Sequence, residues 1–312
     1  MSRPARRPKV AILLCTYNGR RFLGEQLDSY AAQTYAHWEL QVSDDGSKDG
    51  TLELLASYQA RWGAEKLTLH AGPAKGFAAN FLSLICRPGL EADCFAYSDQ
   101  DDIWQAEKLE RAVHWLQSVP EGVPALYCGR TRLVDAGGRE IGLSPLFPKP
   151  AGFANALMQN IASGNTMVLN SAARALLLEA GKELPVVAHD WWTYIVVTGC
   201  GGRVFYDPEP TLLYRQHDAN VIGMNSTWGA RLDRIRMLWH ERFRRWNDCN
   251  IAALGRLKHR LIPRNKEILE NFAKARKMGF FGRILYFKRS GIYRQTWLGN
   301  IGLVIAVIFK KF

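Results

Sequence analysis

Tyr97-Ser98-Asp99-Gln100-Asp101-Asp102-Ile103-Trp104 is the stretch on which the reading of this chain turns. The run Cys94-Phe95-Ala96-Tyr97 has the short, aromatic-rich pattern of a buried strand, so that strand ends in three carboxylates within four positions. Like charges so close repel unless a cation offsets them. Oxygen-rich clusters suit hard divalent ions such as Mg²⁺ or Mn²⁺, which in turn grip a diphosphate. The plainer reading is an acidic turn in which Asp102 caps a helix from Gln105 to Gln117. On these eight residues alone both readings stand.

Upstream, the chain alternates strand and helix. Lys9 to Thr16 reads as a buried strand, Tyr17-Asn18-Gly19 as a turn, and Arg20 to Gln33 as a helix. Trp38 to Ser43 alternates like a second strand, and Asp44-Asp45-Gly46-Ser47-Lys48-Asp49-Gly50-Thr51 leads into a helix to about Arg61. This is the α/β pattern, in which ligands sit outside the carboxyl ends of the strands, so two acidic clusters there would line one crevice. Asp44 can accept a hydrogen bond from the imide N–H of a pyrimidine base, or it can close an Asx-turn with no ligand. Leu67 to His70 is a third strand, followed by the small-residue loop Gly72 to Asn80, which would bring backbone amides and Lys75 near phosphate or sugar. The loop lacks both the Walker lysine spacing and the Gly-x-Gly-x-x-Gly of dinucleotide binders.

Downstream, Val123 to Val134 reads as one strand and Asp135 to Arg139 as a hairpin turn. Ser163-Gly164-Asn165-Thr166, just before an apolar strand, is either a binding loop or a turn. In Ala188-His189-Asp190-Trp191-Trp192-Thr193-Tyr194, burial against rings would raise the Asp190 pKa and suit it to general-base work. The alternative makes Asp190 an N-cap and the tryptophans core. Arg203 to Asp207 and Thr211 to Tyr214 are late strands. Beyond them Arg215 is a candidate for pairing with a diphosphate, and His217 becomes a metal ligand if its loop folds back over Asp101.

With 312 residues, 47% hydrophobic and 22% charged, the chain is long enough and apolar enough for a sizeable core, which excludes a disordered protein. The net charge of +12 is localised: Trp228 to Phe312 holds 20 Lys+Arg against 5 Asp+Glu, whereas Met1 to Thr227 holds 21 against 24. The six cysteines show no Cys-x-x-Cys spacing, which suits free thiols in a reducing compartment. The apolar run after the basic Ser2 to Lys9 breaks at Thr16, too early for a signal peptide, so no secretion is expected.

Taken together, Cys15-Thr16-Tyr17-Asn18-Gly19, Val42 to Thr51, Ser98 to Trp104 and His189-Asp190-Trp191-Trp192 resemble the inverting, metal-dependent family 2 glycosyltransferases with the GT-A fold, over about Lys9 to Gly223. The resemblance implies an α/β domain with a mostly parallel central sheet flanked by helices, a nucleoside-diphosphate sugar donor, and Mg²⁺ or Mn²⁺. It further implies nucleotide-sugar contacts by Thr16, Tyr17, Asn18, Asp44, Lys75, Asp99, Gln100 and Arg215, and metal ligation by Asp101 and His217. Asp190 matches the catalytic base of the family's Glu-Asp motif, with His189 in place of the glutamate. Trp104, Asn165, His189, Trp191 and Trp192 are expected around the acceptor or sugar. The motifs also resemble those of bacterial rhamnosyltransferases that build lipopolysaccharide and other surface glycans. That implies L-rhamnose from dTDP-rhamnose as donor and a lipid-linked saccharide as acceptor. The alternatives are a UDP-hexose donor on the same fold, or a nucleotide-sugar-binding protein without turnover.

Three regions are therefore expected: a basic tail over 1–8, a catalytic domain over 9–227, and a basic helical appendage over 228–312. Trp228 to Asn250 mixes Arg with Leu, Ile, Met, Trp and Phe, as amphipathic helices do. Trp297 to Phe309 is 13 residues long, about 20 Å as a helix, short of the roughly 30 Å hydrocarbon core of a bilayer. Lying in the interface of an anionic membrane is the expectation, at the cytoplasmic face of the bacterial inner membrane. A helical cap with solvated arginines is the alternative. No nucleic-acid partner is expected, because no binding module accompanies the aromatics.

Overall fold

The structure is a computed structural model that describes residues 7–217 and 242–312. Strand and helix alternate through β1 (Val10–Thr16), α1 (Arg20–Ala31), β2 (Trp38–Asp44), α2 (Thr51–Trp62), β3 (Leu67–Ala71), α3 (Phe77–Ile85) and β4 (Cys94–Ser98). Every residue of β1 is buried, and the strand pairs in parallel with β2 on one side and β4 on the other. Its side chains divide between two cores. Ala11 and Leu13 point into one cluster and Val10, Ile12 and Leu14 into the other, which explains an unbroken apolar run where a one-sided sheet would alternate.

The chain continues through β5 (Ile103–Trp104), α4 (Lys108–Gln117), β6 (Ala125–Gly129), β7 (Arg132–Val134), β8 (Glu140–Leu143), α5 (Phe153–Ala156), β9 (Val168–Asn170), α6 (Ser171–Ala180), α7 (His189–Gly199), β10 (Arg203–Asp207) and β11 (Leu212–Arg215). The main sheet has seven strands in the order β10-β6-β9-β4-β1-β2-β3, and β9 alone runs antiparallel to its neighbours. A second sheet of four strands, β5-β11-β7-β8, stands beside it. The single strand expected over Val123 to Val134 is thus two strands in two sheets. After Gly129 the Arg130 amide bonds Asp207 O and the Thr131 amide bonds Ser144 Oγ, which carries the chain from one sheet to the other.

At the C-terminus lie α8 (Arg242–Leu254), α9 (Pro263–Lys277), α10 (Phe280–Ser290) and α11 (Trp297–Ile308). Leu254, Leu257, Leu261 and Phe272 are buried in the same core as Leu157 and Trp192, so these helices close the apolar face of the catalytic domain. Asn265 reinforces the join by donating from Nδ2 to Thr198 O and Gly199 O at the end of α7. Residues 228–241 of the amphipathic stretch, the 227/228 boundary and residues 1–6 of the basic tail lie outside the described residues. Among the described residues no helix is long and apolar enough to cross a membrane.

Leu13 is fully buried in the central strand, so Leu13→Ala should destabilise the fold by about 2–5 kcal/mol. The shift of the urea unfolding midpoint measures it.

Candidate active site

The carboxyl ends of β4, β1 and β2 lie side by side, and the loops that leave them are stitched together by acids and amides. Asn18 sits at φ 49°, its amide donates to Ser47 Oγ (2.8 Å), and its Oδ1 accepts from the Lys48 amide (2.8 Å). Asp44 is buried. Its Oδ2 accepts from Thr16 Oγ1 (2.7 Å) and Ser47 Oγ (2.5 Å), and its Oδ1 from the Gly46 and Ser47 amides. A carboxylate offers about four acceptor sites, and all of them are engaged within the loop. The Asx-turn geometry is present at Asp44, and the buried Thr16 hydroxyl and Asn18 Oδ1 also bond within these loops. Asp45 draws in the third loop by accepting from the amides of Ala74 (2.6 Å) and Gly76 (2.9 Å).

Gln100 clasps the first loop from the acidic stretch: its Oε1 accepts from the Tyr17 amide (2.9 Å) and its Nε2 donates to Tyr17 O (3.1 Å). A Cβ at Gly19 would lie 2.2 Å from Gln100 Oε1, so any larger residue there would push the Gln100 side chain out of its clasp on Tyr17. What remains open is the Tyr17 ring, 60% exposed. Lys75 is also exposed, with Nζ 3.8 Å from Glu183 Oε2.

The three acids beyond β4 divide their work. Asp101 Oδ2 meets His217 Nε2 at 2.7 Å, so the chain does fold back over Asp101. Asp99 is held up at about 7, first by burial and then by the neighbouring charges of Asp101 and Asp190, with Lys108 opposing. Asp102 has no exposure: its Oδ2 accepts from Asn165 Nδ2 (2.6 Å), its Oδ1 from the Arg215 amide (3.2 Å), and burial pushes its pKa up. Asp102 is therefore not the helix cap weighed above. α4 begins at Lys108, behind Glu107, with no side-chain cap.

Arg215 is also buried. Its guanidinium donates to Glu25 Oε2 (2.8 Å), Asp101 O (3.0 Å) and Ala136 O (3.0 Å), and lies 4.6 Å from the centre of the Phe22 ring. In this geometry it braces the acidic loop from behind.

Asp190 lies in the first turn of α7, whose N-cap is Ala188, so it is not the cap. Its Oδ2 accepts from the Gly164 amide (3.2 Å) and its Oδ1 from the Trp191 amide (2.6 Å). Burial nevertheless raises it to about 6, within reach of general-base work near neutral pH.

The residues expected to surround the acceptor are all buried. His189 stacks on Phe81 at 3.8 Å and meets Tyr97 edge-on, and burial lowers it to about 3, so it is a neutral core side chain. Trp191 is buried and donates from Nε1 to Ala156 O (2.6 Å), while Trp192 has no exposure and Trp104 almost none. Asn165 is buried under the acidic loop. All five side chains are buried, the aromatic ones among core residues.

Three positions had no distinctive signal in the sequence. Lys108, fully buried, donates from Nζ to Asn165 O (2.9 Å) and lies 4.3 Å from the centre of the Trp104 ring; burial lowers it to about 7 against the pull of Asp102 and Asp99. Gly164 presents its amide to Asp190, and a Cβ there would come within 2.8 Å of His189 Nε2. Glu25 neutralises Arg215. A lysine on a charged helix, a glycine in a polar loop and a surface glutamate look ordinary until the fold brings them here.

Among the described residues no group of three His, Cys, Asp or Glu side chains is arranged to hold a metal ion. Asp101 and His217, the expected ligands, are brought together at 2.7 Å, and phosphate oxygens would have to complete the set around a hard cation.

A mostly parallel sheet whose carboxyl ends carry an acidic loop, faced by a separate raised carboxylate, defines a GT-A type glycosyltransferase. The chain belongs to glycosyl transferase family 2, whose description matches residues 11–178, more than half of its length. It is similar to the dTDP-rhamnosyl transferase RfbG of Shigella flexneri, 27% identical over 245 residues that cover 74% of this chain and 81% of the relative. Among solved structures it is similar to S. aureus TarS 1–349 in complex with UDP-GlcNAc, with a TM-score of 0.54 and 16% identity, covering 90% of this chain and 89% of the other. It is also similar to the mannosyltransferase PcManGT from Pyrobaculum calidifontis in complex with GDP-Man and Mn²⁺, with a TM-score of 0.53 and 19% identity, covering 98% and 88%.

Asn165→Ala removes the donor that satisfies Asp102 and should destabilise the protein by about 1–3 kcal/mol. Because residue 164 supplies the amide that holds Asp190, turnover should fall more than donor affinity. Thermal unfolding together with a kcat and KM comparison checks both.

Proposed function

We propose that this chain is a divalent-metal-dependent, inverting glycosyltransferase. In this reading it moves a sugar, L-rhamnose from dTDP-rhamnose, onto a lipid-linked saccharide at the cytoplasmic face of the bacterial inner membrane. The observation that carries the reaction class is the nearness of Asp190 to the acidic loop, close enough for its charge to help raise Asp99. The rhamnose donor is supported by the similarity to the S. flexneri dTDP-rhamnosyl transferase across 74% of the chain. Metal use is supported by the meeting of Asp101 and His217 and by the Mn²⁺ in the mannosyltransferase structure.

The chemistry is a single displacement. Asp190 takes the proton of the acceptor hydroxyl as that oxygen bonds the anomeric carbon from the side opposite the diphosphate. The bond from that carbon to the diphosphate oxygen breaks, the nucleoside diphosphate leaves with the electron pair, and the configuration inverts. A bound divalent ion supplies charge neutralisation at the leaving diphosphate. Asp101 and His217 would hold it, with phosphate oxygens completing the set. The exposed Tyr17 ring would stack on the base, and Lys75, on the exposed loop between β3 and α3, would approach the phosphates.

A panel of nucleotide sugars with Mg²⁺ or Mn²⁺, scored by diphosphate release, tests the reading. Turnover with a UDP-hexose alone would replace the donor, and binding without release from any donor would remove the enzyme assignment. Asp190→Asn should abolish transfer while leaving donor binding within about twofold by calorimetry. In the wild type, kcat/KM should fall as pH drops through about 6, because the protonated acid cannot accept a proton. Asp101→Ala should weaken Mn²⁺-dependent donor binding by about tenfold or more, and titration with and without Mn²⁺ reads that loss.

A further inference from the structure

α11 (Trp297–Ile308) reads Trp-Leu-Gly-Asn-Ile-Gly-Leu-Val-Ile-Ala-Val-Ile, without one charged residue. Leu303, Ala306 and Val307 face the core and are buried. The opposite face is apolar too. Trp297 (75% exposed), Leu298 (73%), Ile301, Val304, Ile305 and Ile308 recur at the three- and four-residue spacing of one helical stripe, and all of them are exposed. A surface helix in water turns its polar side outward; this one turns isoleucine, valine and tryptophan outward over its whole length.

The helix is held in that orientation. Arg283 of α10, buried, donates from Nη1 to Val307 O (3.0 Å) and Ile308 O (3.0 Å), capping the carbonyl end of α11. Thr296 accepts from the Gly299 amide at the other end. On α10 itself the Phe281 ring is 85% exposed.

Charge decides what covers the stripe. From Asn271 to Phe312 the chain has nine Lys+Arg and no Asp or Glu. Lys274, Lys277, Lys288, Arg289 and Lys310 are exposed. A second copy of this surface would bring the same positive charge against it, whereas an anionic lipid headgroup layer answers both the charge and the apolar stripe. At 12 residues α11 is about 18 Å long, too short to cross a bilayer but suited to lying in its interface.

We propose that the outward stripe of α11, together with the exposed Phe281 and the exposed basic residues of the C-terminal helices, is a docking face for an anionic lipid bilayer, with α11 lying parallel to the membrane plane. This gives the membrane placement proposed above a specific surface and rests on that reading only for the choice of bilayer. Its test reads lipid binding and not sugar transfer, so the two can fail separately.

The full chain should co-sediment with vesicles of phosphatidylglycerol and phosphatidylethanolamine in equal parts, and much less with pure phosphatidylcholine. The double substitution Leu298→Glu with Ile305→Glu changes only exposed side chains and should keep the wild-type circular dichroism spectrum and Tm while lowering the vesicle partition coefficient by about tenfold or more. Lys288→Glu with Lys310→Glu should lower it on anionic vesicles and flatten its salt dependence. Undiminished sedimentation of a folded Leu298→Glu/Ile305→Glu variant would overturn the proposal. So would a wild-type chain that ignores vesicles but forms a dimer, by sedimentation velocity, that the same substitutions dissolve.

Discussion

A carboxylate with no solvent exposure, Asp102, sits next in sequence to the acid that faces the crevice, and much of the site follows from keeping it satisfied. A buried ionisable group costs several kcal/mol unless it is bonded, and here two other carboxylates stand within three residues of it. Asn165 reaches it from the loop before β9, the Arg215 amide from the end of β11, and the Lys108 ammonium is close enough to favour its charged form. Three segments distant in sequence are thus gathered under Asp101. The same gathering sets the other side of the crevice, because residue 164, next to Asn165, supplies the amide that holds Asp190.

The acids at the carboxyl ends of the strands act in two ways. Asp44, Asp45 and Asp49 turn their oxygens toward backbone amides and hydroxyls of neighbouring loops, where a fixed carboxylate replaces the hydrogen bonds that irregular backbone would otherwise make to water. Asp99, Asp101 and Asp190 are held close together instead, and the repulsion among them, together with burial, keeps Asp99 high. The first group makes the crevice rigid; the second is the group to which the proposed chemistry is assigned. Arg215 belongs with the first group: a guanidinium shared among Glu25, Ala136 O and Asp101 O is a brace.

The C-terminal helices show the same economy of surface. Their inner faces complete the core around Trp192 and Phe272, and Arg283 fixes α11 against α10, yet the outer face of α11 is as apolar as the inner one. Its sequence has the hydrophobicity of a membrane segment and the length of an ordinary surface helix, and both properties find a use only where one side meets protein.

The sequence by itself determined the order of strands and helices through β4, the acidic ends of β2 and β4, and the separate carboxylate in an aromatic setting. Each of these is a local pattern: an apolar run, a turn composition, a helix entry. The family was legible for the same reason, since its motifs are short and contiguous. It could not determine which side of the backbone each residue would serve. Trp104, His189, Trp191 and Trp192, expected around the acceptor or sugar, are buried; Lys108, which drew no reading, is buried beside the acids; Val123 to Val134 read as one strand and is two. These outcomes depend on contacts across dozens of residues, such as Asn165 with Asp102 or Arg130 with Asp207. Only the tertiary structure decided them, because burial and hydrogen-bond partners are properties of the assembled neighbourhood and not of the residue that enters it.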